Sequence, residues 1–311
     1  MAFNPAKDIP DLSDKVIFVT GGTAGIGKAT VLALTTHKPG HIYLTGRNAK
    51  AGSEVVAEAK RRGPGCPVTF IRCDLSAPRE NIRRAIQEGF ASSRLDILIA
   101  NAGIMAVPPA LTAEGFEIQF GTNYLGHAIL LRLLLPLMLK TAESAKDADI
   151  RFLSLTSFGH TMHPPGGLQF DKLRTSDAGN GLQRYGQSKL ANILLAKAMA
   201  KRYPQILSVS VHPGLVRTGL SSHSELTKML RVLRWLQWSP LYLTAEQGSY
   251  NNLWCATADR KKMVNGGYYE PVGKFEEPLK SWSGTAKLAN DVALADRLWE
   301  WTERELANLK L

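Results

Sequence analysis

Cysteine is scarce: Cys66, Cys73 and Cys255 are the three in 311 residues, an odd number with no Cys-x-x-Cys pair. That excludes a disulfide framework and a cysteine-based zinc site, and leaves reduced, buried thiols as the expectation. No Asn-x-Ser/Thr sequon occurs, and residues 1–13 lack a basic-then-apolar leader; polar and broken by proline, they read as a surface arm. A cytoplasmic, reducing compartment is the consequent expectation. Long apolar runs are also rare. The strongest, Ala128 to Lys140 (AILLRLLLPLMLK), is interrupted by Arg132 and Pro136, so it is too short to cross a bilayer and reads as a core helix. The seven histidines show no metal-ligand spacing on a helix, since His160 and His163 lie in a loop among glycine and proline; no metal is expected. Acidic residues are outnumbered, 27 against 38 basic, for a formal charge of +11. The basic residues are scattered in pairs such as Arg61-Arg62, Arg83-Arg84 and Lys261-Lys262, without interleaved aromatics, which argues against a nucleic-acid partner. The terminal Leu309-Lys310-Leu311 departs from a Ser-Lys-Leu peroxisomal address by its leucine.

What the chain does contain is 44% hydrophobic residues in alternating strand-like and helix-like segments. Strands are expected near 15–20, 41–45, 67–72, 95–100, 150–156, 207–212 and 267–269. Helices are expected near 25–37, 49–61, 78–91, 116–141, 181–203, 244–258 and 285–308. With right-handed crossovers this order makes an α/β fold: one doubly wound, Rossmann-type parallel sheet with helices on both faces, in a single domain spanning 1–311. Ligands of such sheets bind beyond the carboxyl ends of the strands.

Two motifs fall at such ends. The apolar run Lys15 to Thr20 leads into Thr20-Gly21-Gly22-Thr23-Ala24-Gly25-Ile26-Gly27 and then a helix from Lys28 to Leu34. A strand, a glycine-rich turn and a helix start aim backbone N–H groups and a helix dipole at one point, where a phosphate is stabilised. Farther on, Tyr185 and Lys189 stand four apart and project from one helix face. A free phenol titrates near pH 10; bringing it toward neutrality takes roughly 4 kcal/mol, which a partly desolvated ammonium can supply. The pair suits proton transfer.

The Gly-x3-Gly-x-Gly spacing after Thr20, together with Tyr185-x3-Lys189, resembles the short-chain dehydrogenase/reductase family, over residues 15 to about 270. Further positions match in order: Ala100-Asn101-Ala102-Gly103, where the family usually has Asn-Asn-Ala-Gly; Asn123; Ser157; and Pro213-Gly214-Leu215-Val216-Arg217-Thr218. The resemblance implies that Tyr185 is the catalytic acid and base, that Ser157 orients the substrate oxygen, and that Lys189 binds the nicotinamide ribose and lowers the Tyr185 pKa. Asn123 is implied to link Lys189 to bulk water. Thr20, Gly21, Thr23, Gly25, Ile26, Gly27, Asn101, Ala102 and Gly103 are implied to line the nucleotide site. Asp74 and Leu75 would meet the adenine ring, and Pro213, Gly214, Val216 and Thr218 the carboxamide. The family also implies a homodimer, through the helix at 116–141.

Gly46-Arg47 follows the second strand. An acidic residue at this strand end would bind the adenosine ribose and repel a 2′-phosphate; Gly46 has no carboxylate, and Arg47 offers a guanidinium that can bind phosphate. The cofactor expected is NADP(H). The long stretch between Ser157 and Tyr185, with Asn123-Tyr-Leu-Gly-His127, is similar to the retinol dehydrogenase, WW-domain oxidoreductase and protochlorophyllide reductase branch. One substrate wall is expected from Met162 to Pro165, and the other from a helical lid at 214–243, rich in residues such as Leu220, Met229, Trp235 and Trp238. The resemblance thus implies an NADPH-dependent carbonyl reductase for a bulky, apolar ketone, aldehyde or secondary alcohol. The alternatives are a reductase of an activated C=C bond and a non-catalytic NADP(H)-binding regulator.

Overall fold

The computed structural model describes residues 3–144, 148–217, 242–276 and 285–307. Thr218, most of the expected lid and Leu309 to Leu311 lie outside them. Eight strands form one sheet: β1 (Val16–Val19), β2 (His41–Gly46), β3 (Val68–Arg72), β4 (Ile97–Ala100), β5 (Ile150–Leu155), β6 (Ile206–Val211), β7 (Tyr268–Glu270) and β8 (Lys274–Glu276). Their order is β3-β2-β1-β4-β5-β6-β7-β8, and every neighbouring pair is parallel except β7 with β8.

The strands are apolar on both faces because both faces are covered. In β1, Val16 and Phe18 enter one core, and Ile17 and Val19 the other. The first core is closed by α4 (Arg79–Gly89), α5 (Ile118–Ser144), α6 (Gly181–Arg202) and α9 (Val292–Leu306). The second is closed by α2 (Gly25–Leu34), α3 (Ala49–Arg62) and α7 (Ala245–Thr257). Local chemistry sets the helix starts. Asn180 and Gln183 form a capping box ahead of α6, as Thr244 and Gln247 do ahead of α7.

Four features differ from the expected elements. β8 is three mostly polar residues on a sheet edge, too short to show periodicity. The expected last helix splits into α8 (Thr285–Ala289) and α9, because the Asp291 carboxylate caps Leu294 N–H at 2.9 Å and restarts the helix. The arm at 1–13 is not merely superficial: it holds a short helix α1 (Pro5–Asp8), and Ile9 and Leu12 are buried in the second core. Finally, α5 runs on through Arg132 and Pro136, and is long and apolar enough to cross a membrane by length and composition. However, 56% of that window is buried within the protein, as befits a core helix. Near its start, Gly121–Leu125 widens into a π turn that carries Asn123.

The chain steps outward from β1 to β2 and β3, then returns to β4 on the other side of β1. A crevice therefore opens between the carboxyl ends of β1 and β4.

Candidate functional site

That crevice is a cleft of about 410 Å³. Its floor is the turn after β1. Gly21 and Gly25 take positive φ angles of 64° and 54°, which side chains disfavour. A Cβ on Gly27 would lie 2.3 Å from the Gly21 carbonyl oxygen and 2.5 Å from Asn101 Nδ2, so only glycine lets the helix start meet the turn. Thr23, Ile26 and Gly27 line the cleft with Gly21 and Gly25, while Thr20 is fully buried behind it. The Thr20 hydroxyl accepts the N–H groups of Asn101 and Ala102, both at 2.9 Å, and Asn101 Nδ2 donates to the Thr20 carbonyl at 2.8 Å. These bonds seat Asn101, Ala102 and Gly103 on the opposite rim.

Arg47, Asp74 and Leu75 line the outer end. A Cβ on Gly46 would lie 2.5 Å from Thr23 Cγ2, so a larger residue there would require Thr23 to shift. The Asp74 carboxylate accepts the Ser76 N–H and hydroxyl, which fixes the loop after β3. A second cavity of about 400 Å³ adjoins this end and shares Arg47, Cys73 and Asp74 with the cleft; Arg72 and Arg84 also border it. All three cysteines are unpaired and buried, and burial pushes the Cys73 thiol up to about 12.

Tyr185 and Lys189 line the inner end. Both are buried, with 4% of each exposed. Gly159, in the loop after Ser157, presses on the phenol; a Cβ there would lie 2.6 Å from Tyr185 Cε1. Ser157 caps that loop, its Oγ accepting Gly159 N–H at 3.0 Å. Burial pushes the phenol up to about 12, against the pull of a hydrogen bond with Ser157. The Lys189 ammonium is not among the groups that shift it. The ammonium instead donates to the Leu155 carbonyl at 3.0 Å, 5.7 Å from the Tyr185 ring centre, and burial lowers its own pKa to about 8. Asn192 Nδ2 reaches the same carbonyl at 2.8 Å.

Asn123 is fully buried. Its Oδ1 accepts Ile104 N–H at 2.8 Å, and its Nδ2 donates to the Ile104 carbonyl and to Ser188 Oγ, each at 2.9 Å. Its amide thus clamps the rim loop to α6 rather than bonding Lys189. Ser157 is half-buried, and neither it nor Asn123 is among the residues that line the cleft. Pro213 lines the cleft, whereas Gly214 and Val216 lie farther along the loop, which is tied to Leu243 by Arg217 N–H to the Leu243 carbonyl at 2.9 Å.

Several residues of the site escape motif reading. Thr45, Ile104, Val107, Thr122 and Thr156 line the cleft without belonging to any motif. A buried ion pair, Arg184 Nη1 to Glu117 Oε1 at 3.0 Å, ties the start of α5 to α6 one residue before Tyr185. Arg184 also donates to the Val107 carbonyl at 3.0 Å. The only sequence signal for this pair was an arginine beside the tyrosine.

Comparison with known proteins agrees with this arrangement. Residues 15–150 match the family model described as short chain dehydrogenase. An uncharacterized oxidoreductase, C736.13 of Schizosaccharomyces pombe, is 35% identical over 310 residues, covering 98% of this chain and 88% of that protein. Human retinol dehydrogenase 12 is 33% identical over 293 residues, covering 93% and 85%. A crystal structure of an uncharacterized protein from Mycobacterium paratuberculosis superposes with a TM-score of 0.71 at 26% identity, over 98% of this chain and 97% of the other. With its glycine turn and its Tyr-x3-Lys helix facing one cleft, the chain belongs to the short-chain dehydrogenase/reductase family of nicotinamide-dependent oxidoreductases.

Proposed function

We propose that this protein is an NADPH-dependent carbonyl reductase acting on a bulky, largely apolar ketone, aldehyde or secondary alcohol. The observation that carries this reading is that Tyr185 and Lys189 open onto the same cleft as the glycine turn.

The residues present fit a dinucleotide. Gly21 and Gly27 leave the turn bare where side chains would clash, as a pyrophosphate requires. Arg47 supports NADP(H) over NAD(H): no ion pair joins it or Arg72 to a described residue, and both border the cavity beyond the adenosine end. Asp74 and Leu75 would face the adenine. Pro213, Gly214, the Val216 backbone and Thr218 would face the carboxamide. A reduced nicotinamide bound there supplies the hydride. Tyr185 then gives its proton to the substrate oxygen, and Ser157, bonded to the same oxygen, stabilises the charge developing on it. Lys189, which donates to the Leu155 carbonyl here, would bind the ribose hydroxyls, and its charge would favour the phenolate left behind. Asn192 keeps that carbonyl satisfied. Asn123 holds the rim loop and α6 in register for these steps.

An apolar substrate is supported by Ile104, Val107 and Leu155 in the cleft wall, and by Phe158 and Leu215, 57% and 53% exposed in the loops after Ser157 and Pro213. The reading extends to a single domain, since one sheet takes in every strand described, and to a cytoplasmic homodimer through α5, where Leu133 and Leu137 are only half buried.

The test is consumption of NADPH, and of NADH in parallel, against a panel of apolar ketones, aldehydes and quinones. Turnover with a preference for NADPH is expected. Tight nucleotide binding without turnover would favour an activated C=C substrate or a regulatory role, and binding of neither nucleotide would overturn the reading.

A further inference from the structure

His127 has no task in the reading above, yet both of its ring nitrogens are committed. It lies in α5 one turn beyond Asn123 and is 2% exposed. Its Nδ1 is 2.8 Å from the Asn123 carbonyl oxygen and its Nε2 is 2.8 Å from Thr20 Oγ1. A carbonyl can only accept, so Nδ1 carries the hydrogen, and Nε2 must then accept the Thr20 hydroxyl proton. The Thr20 oxygen still has its acceptor capacity, which it spends on the N–H groups of Asn101 and Ala102. One line of hydrogen bonds therefore runs from the rim of the cleft through Thr20 and His127 to Asn123. The Thr20 hydroxyl also lies 3.5 Å from the Ile99 carbonyl, the longer of its two possible acceptor contacts.

Protonation would break this line, because an imidazolium has no lone pair for Thr20. Burial holds the ring down to about 4, with the nearby Lys189 charge acting in the same direction, so the ring stays neutral at physiological pH. The two ends of the line serve different purposes. Thr20 opens the glycine turn. Asn123 sits in the π turn of α5, and its amide grips Ser188, the neighbour of Lys189.

We propose that His127 is a positioning residue that locks the glycine turn to Asn123, so that one imidazole sets both nucleotide affinity and turnover. The proposal rests on reading Lys189 and Tyr185 as catalytic, but its nucleotide-affinity half stands apart from any turnover.

Two substitutions separate the two bonds. In His127→Gln the longer side chain can still offer an acceptor near the Nε2 position to Thr20 but loses the bond to Asn123. In His127→Asn the shorter amide can still donate to the Asn123 carbonyl but falls short of Thr20. With NADPH as the titrant, His127→Gln should lower kcat roughly tenfold more than it weakens NADPH, as expected for one buried hydrogen bond lost. His127→Asn should weaken NADPH roughly tenfold more than it lowers kcat. Thr20→Val should weaken NADPH to the same degree, and combining it with His127→Asn should add little. Folded variants whose NADPH Kd and kcat stay within twofold of the parent, with only Tm lowered, would overturn the proposal. So would equal losses of both in both variants. If no carbonyl substrate turns over, the function reading fails while the Kd comparison still decides this one. Nitrogen-15 NMR of the unaltered protein decides it without any variant: His127 should show the Nδ1–H tautomer, and a hydrogen on Nε2 contradicts the network.

Discussion

At the glycine-turn end of the cleft the wall is largely backbone: Gly27 lets one main chain touch another, and Thr45 accepts the Gly22 N–H at 2.9 Å through its carbonyl. At the inner end, beside Tyr185 and Lys189, the cleft is backed by buried polar side chains. Asn123 clamps Ile104 and Ser188, Arg184 pairs with Glu117, and Lys189 points at Leu155. The first end depends on sterics that any glycine-to-alanine change disturbs. The second depends on polar groups held away from water, where the cost of losing one partner exceeds the gain from having both.

The largest effect should come from splitting the buried ion pair. Glu117→Gln or Arg184→Met leaves an uncompensated or poorly paired group in the core, and urea denaturation should show a loss of about 3–5 kcal/mol. The double change Glu117→Leu with Arg184→Met should recover most of that, which a merely additive effect would not do.

Lys189 should behave in the opposite sense. Its pKa falls from 10.5 to about 8 on folding because the charge is buried. Below pH 8 both states carry the proton and the full burial penalty is present. Between pH 8 and 10.5 the folded state sheds the proton while the unfolded state keeps it, so stability rises with pH. Lys189→Met should therefore raise stability by on the order of 3 kcal/mol at pH 7, with the advantage gone by about pH 10.5, while abolishing turnover. Chemical denaturation across that pH range checks the sign.

The backbone end responds less, and differently. Gly27→Ala should cost about 1–3 kcal/mol of stability by overpacking, and the loss should be accompanied by weakened NADPH binding in a titration. Smallest is Arg47→Ala, which removes the exposed guanidinium proposed to meet a 2′-phosphate. It should weaken NADPH about tenfold and leave NADH unchanged, measured by the two dissociation constants side by side.

The same contrast governs what could be read from the chain beforehand. β1 to β7 were legible because buried parallel strands are rich in apolar and β-branched residues, and the glycine turn and Tyr185-x3-Lys189 because their parts are near neighbours in sequence. β8 and the break at Asp291 were not, one being too short for periodicity and the other set by a single capping carboxylate. The bonds that hold the inner end join residues far apart: Thr20 and His127 are 107 positions apart, and Glu117 and Arg184 are 67. Nothing local marks such partners. The surroundings of Tyr185 were not legible for a related reason, since they depend on how deeply α6 is buried and on where the Lys189 ammonium turns, both of which are tertiary facts.

The central claim is that Tyr185 performs the proton transfer in a cleft that binds the nucleotide without it. Tyr185→Phe tests this most directly, with NADPH dissociation constant and turnover measured on the same preparation. A dissociation constant within about threefold of the parent, with kcat reduced roughly 100-fold to 10,000-fold, is the predicted result. Turnover that survives the substitution would contradict the account.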